Sequence, residues 1–312
     1  MEPGGRISLV KNDTILKRLK RPDRCVRAVL DTDAYNEIDD QFAIAYFLKK
    51  PEVFDIQALT AAPFFNEKSD SPAKGMRLSY DEILKILRLM NREDMSHLVF
   101  RGSESYLPDE KTPVDSLAAR ELVRLSYLGE ADDPLYIIAI GAITNVASAF
   151  LLDPTMAERC VVVWLGGHAR HWKDTKEFNM SQDVAAARVV FDSGVPVIQL
   201  PCMGVVSELK TTGPELEYWL RGKNKLCDYL IDNTVAEVQS YAAGTAWSRV
   251  IWDVSAIAWF LDDSFTSGSI LPSPICGYDH KYSYDENRHP CYVVDYIHRD
   301  AIFTDLFSAL TE

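Results

Sequence analysis

Five carboxylates fall within ten residues of one stretch, VLDTDAYNEIDDQFAIAYFL (29–48): Asp31, Asp33, Glu37, Asp39 and Asp40. One or two acids in the first turn of a helix are common, because they cap it and complement its dipole. That accounts for Asp39 and Asp40. It does not account for Asp31 and Asp33, which sit at the end of an apolar run. Clustered carboxylates repel, and each raises its neighbours' pKa unless a cation or hydrogen-bond donors offset the charge. A bound hard cation explains the run better than capping does. All-oxygen ligands with no nearby His or Cys favour Ca²⁺ or Mg²⁺ over zinc. A calcium site takes about six to eight oxygens, so other segments must contribute.

The elements that position this run alternate in type. Strands are expected at 26–30, 54–61, 97–102, 135–141, 160–167 and 195–200. Helices are expected at 39–49, 72–90, 114–128, 142–154 and 181–194. Residues 214–260 read as helical with loops around Gly222 and Gly244, then a last strand (292–296) and a closing helix (301–310). This alternation predicts an α/β fold: a mostly parallel, Rossmann-like open sheet with helices on both faces. Ligands of such sheets bind outside the carboxyl ends of the strands. The acidic run, Gly141 and Gly166-Gly167 all fall there. One domain is expected over 1–312, with 1–24 as an N-terminal extension and the basic stretch 17–27 solvated.

Of the residues, 47% are hydrophobic and 25% charged, and the net charge is −13. An acidic chain is a poor nucleic-acid binder, since phosphate contacts need clustered Lys and Arg. The opening residues lack the apolar core of a signal peptide, and no apolar run approaches the roughly 20 residues that span a bilayer. The expectation is a cytoplasmic protein away from membranes, with a homo-oligomer left open. Six cysteines without C-x-x-C spacing read as reduced thiols, mostly buried.

Four segments, in order, resemble the inosine–uridine-type nucleoside hydrolases. The acidic run resembles that family's D-x-D-P-G-x-D-D. AIGAITNVASAF (139–150) is similar to its A-x-G-P-L-T-N-x-A segment, WLGGHARHWKDTKEFN (164–179) to its Gly-Gly loop ending in E-F-N, and WDVSAIAWFL (252–261) to its late Asp at a helix start. The resemblance implies hydrolysis of an N-glycosidic bond in a nucleoside or related riboside, with Ca²⁺ as cofactor. It implies Asp33, Asp40, Asp253 and the Ile140 carbonyl as metal ligands, and Asp33 as general base for the attacking water. It implies Asp39, Glu177 and Asn179 around the sugar hydroxyls. Asp31 would support the loop.

The chain departs from that pattern in four places. The acidic loop carries two extra residues, D-A-Y-N-E-I-D for D-P-G-x-D, so that Tyr35 and Glu37 are candidates to stand over the pocket. Pro63-Phe64 replaces a frequent Gly-Asn, removing an amide that would contact the sugar. The loop between Gly167 and Glu177 is short, with His171 as the nearest candidate for a missing asparagine. Trp252 precedes Asp253 where many members have a His. This resembles a purine-specific branch, in which stacking rather than a protonating His activates the base. For Trp252 a core position is an equal reading, and His168 and His171 read more simply as loop residues. Two other functions remain open: a phosphatase resembling the haloacid dehalogenases, suggested by the D-x-D of VLDTD, and a non-nucleoside glycosidase or sugar-binding protein that keeps the metal.

Overall fold

The computed structural model describes residues 10–129 and 132–312. Its centre is an eight-stranded sheet. The strands are β1 (Val26–Thr32), β2 (Phe54–Ala61), β3 (Val99–Arg101), β4 (Leu135–Ala139), β5 (Cys160–Leu165), β6 (Val197–Leu200), β7 (Thr266–Pro272) and β8 (Pro290–Ile297). Their order is β3-β2-β1-β4-β5-β6-β8-β7, all parallel except β7, which runs antiparallel along β8. The inner strands are continuous apolar runs because both faces are covered. Every residue of β4, β5 and β6 is buried.

Helices surround this sheet: α1 (Asn12–Arg18), α2 (Asp40–Leu48), α3 (Pro72–Leu89), α4 (Leu117–Ser126), α5 (Thr144–Leu152), α6 (Phe178–Gln182), α7 (Val184–Asp192), α8 (Gly213–Leu220), α9 (Lys225–Ala242), α10 (Val254–Ala258) and α11 (Arg299–Thr311). All nine residues of α2 are buried, so the helix behind the acidic run is fixed inside the core. Successive strands run outward from β1 through β2 to β3, and the chain then returns to β4 on the other side of β1. The carboxyl ends of β1 and β4 therefore flank the point where strand order reverses, which opens a crevice.

Three expectations are corrected. The helix expected over 181–194 is two helices. Asp183 breaks it by capping α7, accepting from Ala186 N at 2.9 Å, and its other oxygen accepts from Leu107 N at 2.9 Å and Thr144 Oγ1 at 2.7 Å. Strand β7 was not expected: its residues are mostly half-buried or exposed and carry no apolar run. The basic stretch 17–27 is only partly solvated: Lys17, Lys20 and Arg24 are exposed, but Leu19 and Val26 are buried. Helix α1 packs toward β8, with Ile15, Leu19 and Val26 buried. Among the described residues no helix is long and apolar enough to cross a membrane. All six cysteines are free, and only Cys25 is exposed.

Candidate active site

A cavity of about 320 Å³ opens at the carboxyl ends of β1, β4, β5 and β6. Its acidic floor comes from the β1–α2 loop and the start of α10. Asp39 and Asp253 occupy the N-cap positions of their helices, yet neither side chain makes a capping bond. Asp39 Oδ2 instead accepts from Trp252 N at 3.0 Å, and Asp40 Oδ1 accepts from Thr32 Oγ1 at 2.5 Å. The capping explanation of the acidic run therefore fails at Asp39. Carboxylate oxygens of Asp39, Asp40 and Asp253 lie within 4.8 Å of one another, and all three residues are buried.

Asp33 stands beside them at the β1 exit. Its close approach to β4 depends on Gly141, where a Cβ would meet the Asp33 carboxylate at 3.0 Å. Its Oδ2 is buried without a hydrogen-bond partner among the described residues. Burial, then the neighbouring acids, hold the carboxyls of Asp33 and Asp253 well above the usual range. Asp39 is raised for the same reasons, against the opposing charge of Arg249. Burial pushes Asp40 up to about 7, with hydrogen bonds from Thr32 and Asp253 opposing it. An orphaned buried oxygen and mutually repelling acids are what a hard cation corrects, and this donor set fits calcium. Behind the floor, Asp31 accepts from Thr60 Oγ1 at 2.6 Å and Asn145 Nδ2 at 2.8 Å, which ties β1 to β2 and α5.

The opposite wall is the E-F-N turn. Glu177 caps α6: Oε1 accepts from Asn179 N at 2.8 Å, and Oε2 accepts from Met180 N and Gly167 N at 2.9 Å each. Gly167 presents its N–H from a left-handed conformation, φ +74°. Asn179 Nδ2 donates to the carbonyls of Ile140 (3.1 Å) and Leu165 (3.0 Å), which leaves its Oδ1 for a ligand. The Ile140 carbonyl thus already accepts one bond and keeps one lone pair.

Burial pushes the Glu177 carboxyl up to about 7, against its backbone donors and Cys202. A raised folded-state pKa gives stability that is full below the unfolded value, near 4.5, and lost as pH rises through about 7. Glu177→Gln is therefore expected to lose less melting temperature between pH 5 and pH 8 than the parent, at fixed calcium. Superimposable pH curves would assign that titration to another group.

Most sequence-selected residues meet in this cavity: Asp33, Asp39, Asp40, Ile140, Glu177, Asn179, Trp252 and Asp253 all line it. Trp252 does so half-buried, with part of its ring on the core. His171 does not line the cavity. It is exposed, and His168 is the histidine on the wall. Met203 N donates to His168 Nδ1 at 3.2 Å, so the neutral ring carries its proton on Nε2. Burial lowers the His168 pKa, which favours that uncharged form. Of the two residues expected over the pocket, Glu37 lines it, in an ion pair with Arg249, and Tyr35 is exposed outside it. Phe64 is core, and Phe65 is exposed. Asn36, Lys176, Phe178, Cys202 and Met203 also line the cavity and were not singled out for it. Cys202 and Met203 follow Leu200 at the end of β6, a strand-exit position that could have marked them.

Residues 28–293 match the family described as inosine-uridine preferring nucleoside hydrolase. A pyrimidine-specific ribonucleoside hydrolase, RihA of Escherichia coli O1:K1 / APEC, is 28% identical over 181 residues, covering 51% of this chain and 55% of that relative. The chain thus spans about half the length of the curated relatives it matches. A plant nucleoside hydrolase, the PpNRh1 enzyme, superimposes with a TM-score of 0.73 at 21% identity, over 93% of this chain and 99% of its own. A purine-preferring ribonucleoside hydrolase from Gardnerella vaginalis gives 0.73 at 18% identity, over 91% and 98%. At these identities the two structures share the fold.

Proposed function

The chain belongs to the inosine-uridine preferring nucleoside hydrolase family, and on that premise we propose that it is a calcium-dependent N-glycosyl hydrolase acting on ribonucleosides or a related riboside. The observation that carries this reading is the convergence of Asp39, Asp40 and Asp253 on the floor of a sugar-sized cavity, with Asp33 orphaned beside them. Asp33, Asp40, Asp253 and the Ile140 carbonyl would hold the ion, with Asp39 close enough to share it. When bound, calcium orients the sugar diol and makes water more acidic.

The chain's own residues supply the rest. Asp33 accepts the proton of the attacking water. The bond between the anomeric carbon and the base nitrogen breaks, its electron pair leaves with the base, and positive charge develops on the sugar. Asp39, Glu177 and the free Oδ1 of Asn179 orient the sugar hydroxyls, and the surrounding carboxylates favour that charge. His168 offers an uncharged Nε2–H at the Glu177 end of the cavity. It is tied there because its neighbour Gly167 and the Glu177 carboxylate are hydrogen-bonded. The leaving base faces Trp252, whose ring can stack on it; base stacking contributes about 1–3 kcal/mol.

A purine preference follows from that stacking, because a purine presents the larger face and takes its proton from water at N7. The test compares inosine, guanosine, uridine, cytidine and p-nitrophenyl riboside with the parent and Trp252→Ala. Faster cleavage of purine nucleosides, about tenfold lower in the variant while the activated riboside is still cut, is expected. Uridine as the best substrate would remove the stacking account and align the chain with the pyrimidine-specific relative. Cleavage of the activated riboside alone would indicate a glycosidase with another leaving group. Hydrolysis of p-nitrophenyl phosphate instead would return the phosphatase reading.

A further inference from the structure

The two extra residues of the acidic loop do more than lengthen it. They accompany Asn36, which is only 6% exposed, lines the cavity and lies three residues from Asp33. Its backbone is fixed on both sides: Asn36 N donates to Asp33 O at 2.7 Å, and Lys68 Nζ donates to Asn36 O at 2.8 Å. Its side-chain amide is oriented by a chain of obligatory donors. The backbone N–H of Lys68 donates to Asn66 Oδ1 at 2.9 Å, so the other end of that amide is Nδ2. Asn66 Nδ2 then donates to Asn36 Oδ1 at 2.7 Å. The group left over is Asn36 Nδ2, a two-proton donor with no protein partner among the described residues. A buried residue on a cavity wall, with the donor end of its amide unpartnered among the described residues, is built for a ligand.

Its surroundings define the ligand atom. Glu37, Asp33 and Asp39 line the same cavity, and as carboxylates they only accept. A hydroxyl that gives its single proton to one of them keeps lone pairs that need a donor. Asn36 supplies that donor; a second carboxylate could not. We propose that Asn36 is a substrate-binding residue whose Nδ2 donates to a sugar hydroxyl held by the acidic floor, so that the enlarged loop restores the amide that Pro63-Phe64 removes at the β2 exit. Phe64 itself is buried in the core and supplies no polar group. This rests on the riboside reading and specifies which residue reads the sugar's hydroxyls.

The test uses binding, which does not depend on turnover. A C-linked riboside, whose carbon–carbon glycosidic bond water does not cleave, is titrated calorimetrically into the calcium-loaded protein, together with its 2′-deoxy and 3′-deoxy forms. Asn36→Ala is expected to weaken the riboside about tenfold, the size of one lost hydrogen bond, and to leave the affinity for one of the two deoxy forms at the parent's value. Asn36→Asp keeps an acceptor for Asn66 and replaces the donor by an acceptor, so it is expected to bind at least as weakly even if the alanine variant loosens the loop. Equal weakening on all three compounds, no weakening, or parent-like binding by Asn36→Asp overturns the assignment. Nucleoside hydrolysis by the parent is measured alongside. Parent hydrolysis with equal weakening removes Asn36 alone. A parent that neither binds nor cleaves ribosides removes the functional reading, and this assignment with it.

Discussion

Asp33→Asn is expected to lower kcat/KM for riboside hydrolysis by about 10³-fold, within the range for losing a positioned general base, while the melting temperature stays equal or rises. Both halves follow from the same carboxylate. In the folded chain Asp33 is buried, one oxygen has no partner among the described residues, and Asp40, Asp39 and Glu37 all disfavour its charge. An asparagine keeps the shape and an oxygen beside Gly141, removes a repelling charge, and cannot accept a proton. Most destabilising substitutions break something the fold relies on; this one relieves a strain that only the reaction uses. Melting curves without calcium, set beside hydrolysis rates with it, decide the matter. Near-normal turnover would mean that another group takes the proton, and a large loss of stability would mean that Asp33 is structural.

The second expectation concerns the ion. The purified protein should hold about one calcium per chain. Stripping the ion with a chelator and restoring it at a hundredfold excess over Kd should raise the melting temperature by about 5–10 °C, because such binding contributes about 2.7 kcal/mol. Asp253→Asn sharpens the test. It should bind calcium more weakly and melt higher than the parent when both are stripped, since it removes one of three charges held within 4.8 Å. Stoichiometric zinc, or a stripped variant that melts lower than the stripped parent, would sink the assignment of this cluster as a calcium site.

Much of the frame was legible because buried parallel strands leave a plain signal. VLDTD, LYIIAIG and CVVVWLGG are apolar runs ending in polar or glycine residues, and each marks a strand exit that reaches the cavity. What was illegible lay in geometry finer than a pattern. SQDVAAARVV has helical composition on both sides of Asp183, so nothing in it announces that Asp183 caps one helix and ends another. Strand β7 carries the exposed, mixed composition of an edge and therefore no run. His168 and His171 both follow Gly-Gly; only the backbone N–H of Met203, in the turn after β6 and distant in sequence, selects the first. Asn36 gave no signal in the sequence, because the orientation of its amide depends on which end Asn66 engages.

The double anchorage of the E-F-N turn has an evolutionary consequence. Asp183 holds that turn from behind, through Leu107, Thr144 and Ala186, and Glu177 holds it from in front, through Gly167. Glu177 and Asn179 are therefore held by bonds to Gly167, Met180, Ile140 and Leu165, none of which lies in residues 169–176. Changes of side chain within that segment are therefore expected to move Glu177 and Asn179 little. Lys176 lies within it and reaches the cavity. The scaffold thus separates an inheritable centre from the exposed positions of an adjoining stretch, His171, Trp172 and Lys173 among them, and new specificities are expected to arise there first.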